Sequence, residues 1–197
     1  MYHVIMLHRI ALGLAFFTCL ALSGCDDAAS RQSLVGSWDI PPDKVLAGET
    51  MSLWFRKYGD SLVHRTLRYT LNPDGTLVIE EGRDRAVCCF GGIDKRVTDR
   101  TRRVQLSPGA QIGIRRMLAR LRPKNLAPEG PFSLPSGCDY IFDDGVWSGA
   151  EFIRGKRYAS FIFESGCKGD GADKARRLIG AIVANLPPAE RSADFLR

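Results

Sequence analysis

Residues 62–71 constrain the fold of this 197-residue chain more than any other segment. Val63, Leu67, Tyr69 and Leu71 alternate with His64, Thr66, Arg68 and Thr70. Alternation with period two marks a strand with one face buried and one facing solvent. Asn72-Pro73-Asp74-Gly75 follows directly. Pro73 presets its φ for a turn and Gly75 accepts a positive φ, so the chain doubles back. Residues 76–81 return as the partner strand of a hairpin.

The remaining pattern extends this sheet and adds helices. Residues 95–106 read as a further strand, ended by Pro108-Gly109. Over 111–122, Ile114, Met117, Leu118 and Leu121 recur at the spacing of one helical face, flanked by Arg115, Arg116, Arg120 and Arg122. Pro123 stops that helix, and a Pro-rich loop runs to Pro135. Residues 139–142, 146–154 and 157–163 predict a three-stranded meander turning at Asp143-Asp144-Gly145 and Gly155-Lys156. A second amphipathic helix spans 173–186, with Ala175, Leu178, Ile179, Ile182 and Leu186 on one face and Asp173 as N-cap. Residues 43–58 leave helix and strand both open. Strands outnumber helices and are joined by short turns, so the expected class is α+β: an antiparallel sheet with two amphipathic helices packed on it. With 45% hydrophobic and 25% charged residues, the chain is neither disordered, collagenous nor polytopic in a membrane. Its length suits a single domain, expected over 34–188 with a tail at 189–197.

The first residues carry an address. Residues 10–22 hold no charge, yet this run is too short to span about 30 Å of hydrocarbon and has the length of a signal-peptide core. It ends in Leu22-Ser23-Gly24-Cys25, which resembles the lipobox of bacterial lipoproteins at all four positions. The resemblance implies removal of 1–24, a diacylglycerol thioether on Cys25, and acylation of the new amino group. Each buried CH₂ contributes about 0.8 kcal/mol, so two or three acyl chains on one residue hold permanently. Asp26 and Asp27 come next and resemble the signal that keeps lipoproteins of enteric bacteria in the inner membrane. Residues 25–33 comprise the lipidated Cys25 and a tether whose seven or eight residues reach only about 25 Å when extended, holding the domain near the bilayer on the periplasmic side.

Four cysteines remain beyond Cys25: Cys88, Cys89, Cys138 and Cys167. In an oxidising compartment two disulfides are their simplest use. Adjacent cysteines rarely bond to each other, so Cys88 and Cys89 are each expected to reach one of the other two. The vicinal pair lacks the spacing of structural zinc sites; soft thiolates with His64 would suit copper(I) better. No metal or cofactor is expected.

Catalytic patterns are scarce. His64 is the only histidine left after processing and sits on the expected polar face of its strand, as an exposed residue would. Glu151 and Glu164 lie on neighbouring expected strands and form a candidate carboxylate pair, while Asp143-Asp144 is explained by its turn. The glycine-rich stretch 166–171 precedes a helix but lacks the Gly-Lys-Ser/Thr ending of a phosphate loop.

Charge is the feature with functional reach. Residues 95–124 contain ten basic residues and one acid, Asp99. Arg96, Arg100, Arg102 and Arg103 on the strand, and Arg115, Arg116, Arg120 and Arg122 on the helix, form a candidate surface for anionic lipid or an acidic envelope protein. The anchor takes nucleic acid out of reach. The expected function is therefore a lipid-anchored, non-catalytic binding or accessory factor of the bacterial envelope. Two rivals remain. The opening Gly36-Ser37-Trp38 resembles that of lipocalin-like barrels, implying a carrier of an apolar ligand lined by Trp38, Tyr69 and Phe161. An envelope hydrolase or redox enzyme would instead gather His64 with a cysteine or a close carboxylate pair.

Overall fold

The computed structural model describes residues 32–33, 43–57, 63–86, 93–128, 130, 132–134, 145–190 and 195. They belong to one unit, Gln32–Arg197. Its elements are β1 (Gln32–Ser33), α1 (Asp43–Ala47), β2 (Thr50–Lys57), β3 (Val63–Leu71), β4 (Thr76–Ala86), β5 (Ile93–Gln105), α2 (Pro108–Ala119), β6 (Phe132–Leu134), β7 (Val146–Arg154), β8 (Arg157–Glu164) and α3 (Asp170–Ala184). The strands form one sheet in the order β1-β6-β8-β7-β2-β3-β4-β5. The six from β8 to β5 are antiparallel, and β6 and β1 add in parallel beyond β8. The protein is one α+β domain, mostly strand.

The hairpin between β3 and β4 forms as its alternation dictates. Gly75 has φ of +84°. Its N–H donates to Asn72 O at 3.0 Å, and the Thr76 N–H donates to Asp74 Oδ1 at 2.8 Å. Residues 43–58 resolve into both alternatives, α1 and then β2.

One face of the sheet carries Met51, Leu53, Phe55, Leu67, Tyr69, Leu71, Leu77 and Ile79 into a single core. Leu46 of α1, Ile114 and Leu118 of α2, and Ile179 and Ile182 of α3 close over them. The layers are therefore a sheet and one set of helices.

Several boundaries depart from the sequence reading. α2 starts at Pro108, three residues before the expected start. Ser107 caps it, its Oγ accepting from the Ala110 N–H at 3.4 Å. Proline lacks the N–H that a first helical turn leaves unpaired, so Pro108 opens the helix as well as ending the strand. α3 likewise begins at Asp170, with Gly169 at the cap (φ +104°), and Asp173 falls within the first turn. The stretch 123–135 holds more than a loop, because Ala127 bridges Tyr158 and β6 pairs with β8. The expected strand at 139–142 lies outside the described residues, and the other two strands of the expected meander form the β7–β8 hairpin.

The ends of the domain move outward too. β1 enters the sheet from within the expected tether. Ala189 and Phe195 are core residues, with the Phe195 ring 6.2 Å from Phe55, so the expected tail at 189–197 contributes to the core. The described strands form an open sheet and do not close into the barrel that the lipocalin-like opening implies. β1 and β5 are the two open ends of the sheet, and Tyr69 and Phe161 lie in a filled core. Trp38 lies outside the described residues. No described helix is long and apolar enough to cross a membrane.

Candidate functional site

The eight arginines of the expected basic surface do not share a face. Arg115 and Arg122 are 3% and 7% exposed, so neither can meet an anionic surface. Flanking an apolar stripe implies exposure only when one side of a helix is covered, and α2 also packs against α1. Arg115 donates from Nη1 to Leu46 O at 2.8 Å and Glu49 O at 2.6 Å, and from Nη2 to Asn72 O at 2.6 Å. Burial pulls its pKa below the ordinary arginine value, while the charges of Glu49 and Asp74 oppose that. Arg122 grips buried Glu49 with Nε and Nη2 at 3.0 and 2.9 Å, and Arg154 donates to the same carboxylate. These groups tie α1, the end of α2 and β7 together.

The other arginines diverge. Arg116 pairs with Asp43 at 2.6 Å, which holds the Asp43 carboxyl below its usual pKa, and Arg120 is exposed. On β5 the pleat sends Arg100 and Arg102 to the helix side, where they meet Glu190 and Pro188 O. It sends Arg96 and Arg103 to the opposite face. Charged residues along an edge strand also discourage pairing with other chains, which gives this strand a structural reason to be basic.

The candidate catalytic groups are offset along the sheet. In register Glu151 faces Ser160 and Glu164 faces Trp147, four residues further along β7. At about 3.3 Å per residue their Cα atoms are offset by roughly 13 Å along the strands, and the Glu151 carboxylate is paired with Arg68. His64 does lie on the face opposite the helices, yet it is 6% exposed, contrary to the expectation of an exposed strand residue. Burial lowers its pKa, Arg56 lowers it further, and Asp84, its register partner on β4, opposes both. Cys167 is buried and disulfide-bonded, so it holds no thiolate. Cys88, Cys89 and Cys138 lie outside the described residues, as do Cys25, Asp26 and Asp27. No cluster of three or more His, Cys, Asp or Glu suited to a metal occurs among the described residues.

What the structure assembles instead is a groove of about 240 Å³ on the sheet face away from the helices. Period two places Trp54 and Arg56 of β2 beside Thr66 and Arg68 of β3, and Gly82 and Asp84 of β4 beyond them. Asp84, fully buried, receives Arg56 on one oxygen and Arg96 on the other, each at 3.0 Å. Arg68 pairs with Glu151 across β2. The Trp54 indole lies against Gly149, where a Cβ would come within 2.4 Å of Cζ2. Arg56 stacks on that indole, its guanidinium carbon 5.8 Å from the ring centroid. The arrangement offers an aromatic wall, fixed guanidinium and carboxylate groups, and threonine hydroxyls.

No family model matches this sequence, and no curated protein matches it significantly. Trp54, Arg56 and Asp84 were missed in the sequence because their strands were undivided or cut short there. Once β2 is assigned, its alternation alone puts Trp54 and Arg56 on the face opposite Leu53 and Phe55.

Proposed function

We propose that this chain is a bacterial lipoprotein, anchored through lipid on Cys25 and facing the periplasm, whose domain is a non-catalytic binding or accessory factor. Leu22-Ser23-Gly24-Cys25 supports the anchor, and Asp26-Asp27 favours the inner membrane. The observation that carries the binding role is the two-sided sheet. One face is filled by helices, while the other holds a groove of preorganised charged groups around Trp54.

Two measurements test this reading. Cys25→Ser should abolish incorporation of labelled palmitate; persistent labelling would reject the anchor. A photo-crosslinking amino acid at Thr98, in the groove, should yield adducts in living cells that the same group at exposed Lys174 does not. Equal adducts at both positions, or none at Thr98, would reject the groove as the binding face.

A further inference from the structure

The charges of the groove narrow its ligand, granted that this face binds. Arg56, Arg68 and Arg96 bring three positive charges, and Glu80, Asp84 and Glu151 three negative ones; Glu81 also borders the groove but turns its carboxylate to the helix side, where it accepts from the Glu190 N–H. The whole chain carries a net +6. A groove whose own charges balance holds no surplus of positive charge with which to select a polyanion. Anionic lipid, the partner its arginines first suggest, would have to break Arg–carboxylate pairs already made.

Pairing also leaves a specific vacancy in hydrogen bonding. Asp84 is taken by two arginines and Glu151 by Arg68. Glu80, half-buried between Arg68 and Thr101 in register, makes no hydrogen bond or ion pair with the described residues. It is an acceptor held next to a donor, since Arg68 keeps N–H groups beyond the one given to Glu151. The floor is lowered beside it. At Gly82 a Cβ would stand 2.3 Å from Val97 O, and the β4–β5 register shifts there.

An indole wall, a carboxylate that accepts and a guanidinium that donates match one class of uncharged molecule. Such a molecule has an apolar C–H face and hydroxyls around its rim, which is a sugar ring. Planar charged groups bond two adjacent hydroxyls at once, so they serve an uncharged ligand without needing its charge. We infer that the groove binds an uncharged glycan, with a sugar ring against Trp54 and its hydroxyls shared between Glu80 and Arg68.

The test uses the full chain in detergent micelles, titrated with chitotetraose and cellotetraose by calorimetry and tryptophan fluorescence, with heparin as the polyanion. Saturable binding of an uncharged oligosaccharide is expected, accompanied by a fluorescence change. It should weaken at least about tenfold in Glu80→Gln, a change of about 1.4 kcal/mol. Glu80→Gln breaks no pair of the folded protein, so its fold should persist by circular dichroism. Absence of binding by both oligosaccharides, or binding of heparin alone, overturns the inference. So does oligosaccharide binding that Glu80→Gln leaves unchanged. Crosslinks at Thr98 without oligosaccharide binding would remove the glycan and leave the binding face standing.

Discussion

Arg122 reaches Glu49, a residue 73 positions earlier in the chain, with two parallel hydrogen bonds inside the domain. Glu49 is wholly buried and Arg122 nearly so. A buried carboxylate is tolerated when paired and hydrogen-bonded, and becomes costly once its partner is removed. Arg154 enters from β7 and donates to the same group. One carboxylate thus joins the start of β2, the exit from α2 and the β7–β8 hairpin.

Removing one member should be severe. Glu49→Gln is expected to destabilise the domain by about 3–5 kcal/mol, because two guanidinium groups lose their counter-charge. Urea denaturation of Glu49→Gln, Arg122→Met and the double variant would measure the coupling. Strictly additive losses would show that the pair contributes nothing as a pair.

Arg115 is a second interior cation, and its acceptors are all backbone. Arg115→Ala takes a buried guanidinium donor from the carbonyls of Leu46, Glu49 and Asn72, of which Leu46 O keeps the Glu49 N–H and Asn72 O the Gly75 N–H, and should cost roughly 3 kcal/mol. Arg120→Ala, five residues on and exposed, should stay within about 0.5 kcal/mol. Equal effects from both substitutions would refute the inward role of Arg115.

Gly149 makes room for the indole. Gly149→Ala would set a methyl 2.4 Å from Trp54 Cζ2 and 2.7 Å from Phe161 O. The expected cost is about 1–3 kcal/mol, with a shift in tryptophan emission as the ring is displaced. Gly180→Ala, on α3 with no atom near its Cβ, should instead stabilise by about 0.5–1 kcal/mol.

His64 makes stability depend on acidity in a defined direction. Its folded pKa lies below the ordinary 6.5, chiefly through burial. The unfolded chain therefore takes up the proton first as pH falls through 6.5, and the folded state loses stability from there down to the folded pKa. His64→Gln should reduce the difference in urea midpoint between about pH 7.5 and about pH 5.5. An unchanged difference would assign the acid sensitivity of the fold to other groups.

Much of the fold was legible because hydrophobic period is a local property. The β3–β4 hairpin, the β7–β8 hairpin and the apolar stripes of α2 and α3 follow from residues within one turn or one strand of each other. The errors share a cause. A proline read as a terminator also began α2, and a stretch read as loop acquired β6 through pairing with a strand that comes later in the chain.

Side-chain destinations were less legible. Alternation put His64 among polar residues, and the helical wheel put Arg115 and Arg122 beside solvent. Neither pattern shows what packs over a face. The groove is the plainest case, since Trp54, Arg68, Asp84 and Glu151 come from four strands and meet only through register.

By itself, the sequence determined the strands of the β3–β4 and β7–β8 hairpins, the helices α2 and α3, and which face of each is apolar. It also carries Leu22-Ser23-Gly24-Cys25, whose resemblance to a lipobox is a matter of linear order and needs no folding. Only the tertiary structure decided which charges are spent inside, at Glu49 and Asp84, and which line a surface. Sheet order and register bring distant residues within ion-pair reach, and those long-range pairings have no counterpart in local periodicity.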